Sequence, residues 1–519
     1  MATLVSTRRD RTAIRVALRR HVVLLLAVAA VAARLPFLAQ PPGKDEAGYL
    51  MIGQQWQAGG SSLYGNYWVD RPPLLITIFR FAAIQGGLVP LRLVGCLAVA
   101  LVVLGSARVA RRITGDRAAP WAALAAAALC VSPLLGSLAV NGELLSAPLV
   151  IGGIAAVLAA LSPQRMGRAF IWAALAGAAT VAAVMVKQNI ADVGVFAGVA
   201  FVLSWRRGEI PGERMRGLVF GYVVGAALCL GGIALWTVLH GTSLSGVFDA
   251  MYPFRIEAGR VIAASGRQSA TARLWLLLGS WLLSGGAVIM AVITWALVSR
   301  RLHGAAAWAL VATLVFDVVS ILLGGGYWPH YQIQLVGPIS VAAGVLVAGR
   351  QPGTRSVLAA VTVVAAVAWG VLVSGAGTSE GSAVGHAVAG SASPRDTIIT
   401  IYGHADVTQS SGLSSPYPYL WSLPTEILDP QQHTLDAVLR GRSAPTWFVT
   451  WSRVESSGME STTTSQLIAR DYHAVANLMG HTVYLRNGVV RTTPSLARAG
   501  QSSTSPARRQ ARLLGGRRS

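Results

Sequence analysis

The sequence predicts a mainly α-helical protein, in which a polytopic bundle of membrane-spanning helices is followed by a small α/β domain. Three observations lead to this fold class. Of the 519 residues, 53% are hydrophobic and 12% are charged, which is about half the charged share of a soluble domain, and the mean hydropathy is +0.54. Apolar runs recur throughout residues 21–374, and beyond them the composition shifts to serine, glycine, threonine and proline.

The apolar runs give eleven predicted spans, since about 20 apolar residues cross a bilayer as a helix. Residues 1–20 form a basic lead that we place in the cytoplasm, and residues 21–38 form the first span. We predict an uncleaved anchor and not a signal peptide, because cleavage would release a chain that is still full of spans. The other ten predicted spans are residues 91–107, 118–138, 144–161, 169–186, 190–205, 218–239, 274–298, 305–323, 333–348 and 357–373.

The basic residues indicate the topology. The net charge of +22 first raises the question of nucleic-acid binding, but the arginines fall in short clusters in alternate loops, as the positive-inside rule requires. We therefore predict no nucleic-acid partner, a cytoplasmic N-terminus, and an extracytoplasmic C-terminal region. Cys96, Cys130 and Cys229 lie within apolar segments, so no disulfide is expected. The clusters lie at residues 8–20, 108–117, 165–168, 206–216, 300–301 and 350–355.

The first outer loop, residues 39–90, carries two predicted short helices. Asp45 and Glu46 open an amphipathic run, residues 47–58, which places Tyr49, Ile52 and Trp56 on one face. Such a helix is expected to lie in the membrane interface, with its aromatic residues in lipid and its acids in water. Residues 72–85 are apolar but too short for a span, and we predict an interfacial or re-entrant helix there.

Residues 375–490 are predicted to form an extracytoplasmic α/β domain. Residues 397–402, 446–450 and 482–485 are rich in β-branched and aromatic residues, as strands are. Residues 432–440 and 464–470 are typical of helices, so strands and helices alternate. Residues 491–519 contain too few apolar residues to fold, and we predict a disordered basic tail, either solvated or held to anionic lipid headgroups.

Ionisable residues at the predicted outer membrane edge are the candidates for function, because such groups are costly there unless they are used. No His and Cys pattern typical of a metal site is present, and no glycine-rich phosphate loop. Asp317, in the ninth predicted span, is left without a role. The candidates are Asp45, Glu46, Asp70, Arg71, Glu143, Lys187, Arg255 and His330, with Tyr49 as an aromatic neighbour.

Several short motifs occur on the same predicted side of the membrane. In order they are Arg34-Leu35-Pro36, Asp45-Glu46-x-x-Tyr49, Asp70-Arg71-Pro72-Pro73, Asn141-Gly142-Glu143, Lys187-Gln188 and Tyr327-Trp328-Pro329-His330-Tyr331. This series resembles the fold class C (GT-C) glycosyltransferases, and within them the branch of bacterial protein O-mannosyltransferases and lipid A aminoarabinose transferases. Arg71 departs from the aminoarabinose enzymes, which usually have lysine there, and an arginine can bind phosphate in bidentate fashion.

The resemblance implies a membrane glycosyltransferase of the cell envelope. Such an enzyme moves a sugar from a polyprenyl-phosphate donor to a hydroxyl of a glycan, lipid or protein, with inversion, on the extracytoplasmic side of the cell membrane. By position in the motif, Asp45 would be the general base, with Glu46 beside it. Arg71 and Lys187 would stabilise the departing lipid phosphate, with Arg255 and His330 behind them. The remaining predicted site residues would orient the acceptor or a divalent cation (Mg²⁺ or Mn²⁺), or stack on a sugar: Glu46, Asp70, Glu143 and Tyr49.

Structural alternatives accompany each of these roles. Asp45 or Glu143 could cap a helix, Asp70 and Arg71 could form a surface ion pair, and Lys187 could snorkel from its helix end. At the level of function, the alternative is a transporter or flippase of a polyprenyl-linked lipid. The chain has no internal repeat of the kind common in transporters, and its charges gather at the outer edge. A non-catalytic assembly factor would not need the charged cluster in the first loop.

Overall fold

The computed structural model describes residues 2–57, 60–264, 268–299, 304–375, 379–451 and 462–496. Within residues 2–374 the described residues lie mainly in helices. Their bounds are α1 (Ala2–Ala32), α2 (Lys44–Gln55), α3 (Pro73–Ile84), α4 (Leu88–Thr114), α5 (Ala119–Val131), α6 (Gly142–Leu161), α7 (Met166–Val186), α8 (Asp192–Arg206), α9 (Gly212–Leu239), α10 (Leu244–Met251), α11 (Pro253–Ala264), α12 (Gln268–Leu283), α13 (Gly286–Val298), α14 (Ala305–Leu323), α15 (Ile333–Ala348) and α16 (Thr354–Ser374).

These helices make the chain a multi-pass membrane protein. In the described residues eight helices are long and apolar enough to cross a membrane, or nine if α12 and α13 are one span. Each of the eleven predicted spans overlaps a helix, but the number eleven is not confirmed. The helices α5 and α8 have only 13 and 15 residues, and α12 meets α13 at an angle of 70°. Gly285, with φ of +78°, makes that bend in what the sequence predicted as one continuous span.

Small residues bring the helices of the bundle close together. Gly177 of α7 and Gly225 of α9 face each other's helices, and a Cβ at either position would overlap a backbone carbonyl of the other helix. Close approach of this kind supplies van der Waals contact between the helices. Such contact stabilises helix association inside a membrane, where the hydrophobic effect does not drive it. The helix α15 lies at the centre and is buried along almost its whole length. The bundle is therefore a tightly packed scaffold, and the loops at its ends carry the polar residues.

The structure corrects the predicted setting of α2. The helix begins at Lys44 and ends at Gln55, and Tyr49, Ile52 and Trp56 are at most 3% exposed. They pack inside the protein, against α3 and the C-terminal domain, and do not dip into lipid as predicted. The prediction was wrong because an apolar helical face looks the same in sequence whether it meets lipid or protein. The helix predicted within residues 72–85 is present as α3.

The C-terminal domain has one four-stranded sheet with helices around it. The strand order is β1-β2-β4-β3, with β1 parallel to β2 and the other pairs antiparallel. Both faces of β1 and β2 are buried, since Ile399 and Phe448 join one core and Ile398 and Trp447 the other. The elements are α17 (Glu380–Ala389), β1 (Ile398–Ile401), α18 (Ala405–Ser411), α19 (Ser422–Leu428), α20 (His433–Arg440), β2 (Trp447–Thr450), α21 (Thr462–Asp471), β3 (Tyr472–Leu478) and β4 (His481–Arg486).

This domain differs from the prediction in its helices, its edge strand and its boundary with the tail. The helices α17, α18 and α19 were not predicted. The edge strand β3 was not predicted, because Tyr472–Leu478 contains few β-branched residues and has a bulge in its pairing with β4. The predicted disordered tail begins at Arg491, yet Arg491 donates two hydrogen bonds to the Asp396 carboxylate, at 2.9 and 2.6 Å. The ordered domain therefore includes Arg491. The rest of the predicted tail, from residue 497 onward, lies outside the described residues.

The domain docks on residues 39–90, the predicted first outer loop, through its segment 414–421. The Trp68 amide donates to the Pro418 carbonyl at 3.1 Å, and the Ser415 amide donates to the Tyr67 hydroxyl at 2.9 Å. Trp68 also meets the Tyr419 ring edge-on. These bonds fix the domain over the loop that carries most of the predicted site residues.

Candidate active site

Asp70 and Arg71 form the centre of a charged cluster at the end of the bundle. The Asp70 carboxylate binds Nη1 of Arg71 at 2.8 Å and Nη1 of Arg255 at 2.9 Å. The Arg71 Nε donates to the Tyr49 hydroxyl at 2.9 Å, and the Tyr64 hydroxyl donates to the Arg71 carbonyl at 2.7 Å. The pair is therefore more than a surface ion pair, because it joins the turn before α3 to α2 and α11.

The protonation states of Arg71 and Tyr49 follow from these contacts. Burial opposes the charge on Arg71, but the carboxylates of Asp70 and Asp45 outweigh it and hold the pKa of Arg71 well above its usual value. Burial also raises the pKa of the Tyr49 hydroxyl well above its usual value, although the Arg71 guanidinium opposes that shift. Arg71 is thus a permanent cation and Tyr49 a neutral hydrogen-bond partner.

Glu143 and Lys187 form the second part of the cluster. Lys187, directly after α7, is in ion-pair contact with the buried Glu143 at the start of α6. Its ammonium also lies 4.4 Å from the centre of the Tyr331 ring, and His330 Nε2 is 3.9 Å from the same Glu143 oxygen. Burial lowers the pKa of Lys187, and the nearby Arg71 adds to this effect while Glu143 opposes it. Lys187 therefore does not simply snorkel into solvent.

Asp45 stands beside these cations but is bound differently. The Trp421 indole Nε1 donates to Asp45 Oδ1 at 2.9 Å, and in the described part of the chain this is the one hydrogen bond to that carboxylate. Asp45 lies within electrostatic range of Arg71, His330 and Tyr331. Gly43, not Asp45, is the N-cap residue of α2. The half-buried Asp45 therefore has an oxygen available for chemistry.

Glu46, the neighbouring acid, is fully engaged in holding the fold. Its Oε2 accepts from Arg92 at 2.9 Å and from the Gly43 amide at 3.2 Å, and its Oε1 accepts from the Val140 amide at 2.9 Å. Both Glu46 and Arg92 are buried, at 2% and 6% exposure. Successive helical residues point about 100° apart, so Asp45 can face the cluster while Glu46 faces the bundle. The geometry favours a structural role for Glu46 over the predicted catalytic one.

Replacing Glu46 with alanine should destabilise the protein instead of affecting the chemistry. The change leaves Arg92 buried without its partner, which costs about 3–5 kcal/mol of folding free energy. Thermal unfolding in detergent should show a marked loss, while the protein that remains folded turns over normally. A variant with normal melting behaviour and no turnover would instead return Glu46 to the catalytic set. Glu257→Ala, which breaks an exposed pair with Arg260, is the matched control.

Apart from Glu46, the predicted residues thus come together at one end of the bundle. Lys187 is in electrostatic range of Arg71 and Arg255 as well as Glu143, so the two parts form a single cluster. Its three carboxylates and three basic side chains are Asp45, Asp70, Glu143, Arg71, Lys187 and Arg255. The described residues contain no group of three or more His, Cys, Asp or Glu side chains that could hold a metal ion. The divalent-cation role stays a prediction.

An apolar cavity of about 490 Å³ lies next to this cluster, and His330 is in its lining. It lies between α12 and the turns that precede α6 and α15, and its lining is almost entirely apolar. Trp275 and Leu276 on its wall are 69% and 58% exposed, and His330 forms its polar end. The lining includes Pro133, Leu134, Trp275, Leu276, Leu283 and His330.

Several contributing residues were not among the predicted site residues. Trp421 belongs to the C-terminal domain, and its only signal in the sequence is the aromatic run around Tyr417 and Tyr419. Gln188 donates to the Asp70 carbonyl at 3.2 Å. Asp317 does not join the cluster: it is buried in α14, where Gln334 donates to its Oδ1 at 2.9 Å.

The architecture defines the class of this protein as a multi-pass membrane protein, with a charged site at one end of a helical bundle and beneath an α/β domain. Among solved structures, ArnT from Cupriavidus metallidurans bound to undecaprenyl phosphate matches with a TM-score of 0.61. Its identity to the chain is 16%, over 90% of this chain and 97% of that one. The oligosaccharyltransferase AglB from Archaeoglobus fulgidus, in complex with an inhibitory peptide and a dolichol-phosphate, matches at 0.53, with 12% identity over 83% of this chain and 69% of that one.

These likenesses establish the fold. The GT-C assignment made from the sequence motifs is confirmed at that level, and ArnT is among the structures that match. No protein-family model matches the chain, and no curated protein matches it in sequence. Substrate and reaction therefore have to be argued from the residues of the site.

Proposed function

We propose that this protein is a membrane glycosyltransferase that moves a sugar from a polyprenyl-phosphate donor to an acceptor hydroxyl. The observation that carries the proposal is the arrangement around Asp45. Three cations, Arg71, Lys187 and Arg255, lie together with this carboxylate at one end of the bundle. The lining of an apolar cavity includes His330, which is 3.9 Å from Glu143 of this cluster. A lipid-linked phosphosugar has the matching parts: an apolar tail, an anionic phosphate and a sugar beyond it.

In the proposed reaction Asp45 is the general base. The acceptor hydroxyl attacks the anomeric carbon of the donor sugar while Asp45 takes its proton. The bond between the anomeric carbon and the phosphate oxygen breaks, and its electron pair leaves with the polyprenyl phosphate. A single displacement of this kind inverts the anomeric configuration. Asp45 Oδ1 is held by Trp421, so the other oxygen is the one that accepts the proton.

The cations act on the leaving group. The polyprenyl phosphate gains negative charge as the bond breaks, and fixed positive groups in a site shielded from water stabilise that charge more than water would. Tyr49 binds Nε of Arg71 and Asp70 binds Nη1, so in the described structure Nη2 carries the donors left for a phosphate. Lys187 acts as a point charge. Asp70 and Glu143 keep these cations in place, which lowers the reorganisation needed during the reaction.

The apolar cavity fits the carrier lipid. Its opening is lined by Trp275 and Leu276 on α12, which are exposed toward the surrounding bilayer. A polyprenyl chain lying there would place its phosphate near His330, beside Lys187. Two of the solved structures with this fold hold such lipids, since ArnT is bound to undecaprenyl phosphate and AglB is in complex with a dolichol-phosphate. We assign the site to the extracytoplasmic face on the basis of the positive-inside rule.

The test is direct transfer by purified protein. Polyprenyl-phospho-sugars with a labelled hexose or pentose, mannose and aminoarabinose among them, are incubated with the protein and with glycan, lipid or peptide acceptors. We expect one donor to lose its label to one acceptor class, with free polyprenyl phosphate as the other product. The result against the proposal is label that stays on the lipid while the lipid crosses between the leaflets of a vesicle. That outcome would identify a flippase.

A further inference from the structure

Trp421 connects the C-terminal domain to the proposed catalytic base. The residue directly precedes α19, and its indole N–H donates to Asp45 Oδ1 at 2.9 Å across 376 positions of sequence. The described residues provide no second hydrogen bond to the Asp45 side chain. The orientation of this carboxylate is therefore set by a group of another domain and not by its own helix.

The indole ring itself has little freedom. It lies 5.3 Å from the Tyr49 ring, centre to centre, and against the Cα of Gly48, where any Cβ would overlap the ring. Its backbone is held as well, since the Thr425 hydroxyl donates to the Trp421 carbonyl at 3.1 Å. The same segment is tied to the first outer loop through Pro418. A donor fixed on several sides can hold a carboxylate in one rotamer.

We propose that Trp421 is a positioning residue, which holds Asp45 Oδ1 so that the second oxygen faces the acceptor hydroxyl. The α/β domain is then a part of the active site and not an appendage to it. This inference rests on the proposed function, in which Asp45 is the base. If the bond between Trp421 and Asp45 only docked the domain, its loss would not change turnover through the ionisation or orientation of Asp45.

The test compares Trp421→Phe with Gly48→Ala. Phenylalanine keeps the apolar contact with Tyr49 but removes the N–H donor. A methyl group on Gly48 would overlap the indole ring and therefore displaces it. For each variant we expect kcat to fall by roughly 10- to 100-fold, because small misplacements of a reacting group have effects of that size. The KM for the donor should stay unchanged. The acid limb of the pH–rate profile should move to higher pH in Trp421→Phe, since the ionised carboxylate has lost its donor.

Two controls match these changes. Trp447→Phe removes the same kind of bond from the same domain, because Trp447 Nε1 donates to Asp396 at 3.0 Å away from the site. Gly43→Ala adds a methyl group at the start of the same helix, where it meets no other atom within 4 Å. Both controls should keep the wild-type kcat and the wild-type pH profile. Limited proteolysis of the domain reports whether it stays docked in every variant.

The outcomes separate the two levels of the proposal. If the wild type transfers sugar and both site variants match it in kcat and pH profile, the Trp421 inference is overturned and the proposed function stands. A loss of activity that accompanies undocking of the domain, with no change in the pH profile of the remaining activity, overturns it as well. If the wild type transfers no sugar from any donor, the proposed function fails and this inference falls with it.

Discussion

Asp45→Asn is expected to abolish sugar transfer while the protein stays folded and inserted. Asparagine is nearly isosteric with aspartate, and its Oδ1 can still accept the hydrogen bond from Trp421. It cannot take a proton from an attacking hydroxyl at neutral pH. Loss of a general base lowers turnover by about 10²- to 10⁴-fold, and we expect the upper part of that range because no other acid in the described cluster is free. Asp70 and Glu143 are both held in ion pairs.

The measurement is single-turnover transfer from the donor found with the wild type. Thermal unfolding in detergent and donor binding should be unchanged in Asp45→Asn. Asp249→Asn, on the exposed face of α10, is the matched control and should behave as the wild type. Near-normal turnover in Asp45→Asn would remove this residue from the mechanism and leave the general base unassigned.

Lys187→Ala should impair use of the donor by about 10- to 100-fold in kcat/KM. The loss of one charge-assisted hydrogen bond to phosphate, worth about 1.5–3 kcal/mol, corresponds to a change of this size. The variant also leaves Glu143 buried without its partner, so some loss of thermal stability is expected. The double variant Lys187→Ala/Glu143→Gln relieves that unpaired charge. It should regain stability without regaining donor use.

The pH dependence gives an independent check on Lys187. Because burial lowers the pKa of Lys187, its ammonium is lost at a lower pH than that of a free lysine. The affinity for the anionic donor should therefore decrease as the pH rises through that range. Lys187→Arg should move the decrease to higher pH, because a guanidinium keeps its charge. Arg260→Ala, which removes an exposed cation from α11, is the control. If Lys187→Ala and the wild type depend on the donor in the same way, Lys187 does not bind the phosphate.

The sequence was most informative where the physical signal is local. A span needs only a run of apolar residues, and every predicted span overlaps a helix in the described structure. The strands β1, β2 and β4 also carry β-branched and aromatic residues in short runs, and each was predicted. The lengths of the membrane-spanning helices were less well predicted, since breaks such as the one at Gly285 depend on how the neighbouring helices pack.

By itself, the sequence determined the membrane bundle, the small α/β domain and the cluster of charged residues in the first outer loop. Only the tertiary structure separated Asp45 from Glu46, and only it brought Trp421 to Asp45. Adjacent residues on a helix have the same local sequence but face different partners. The apolar face of α2 is likewise equally compatible with lipid and with protein, and packing alone placed it against protein. These differences lie in contacts between distant parts of the chain, which composition and periodicity do not record.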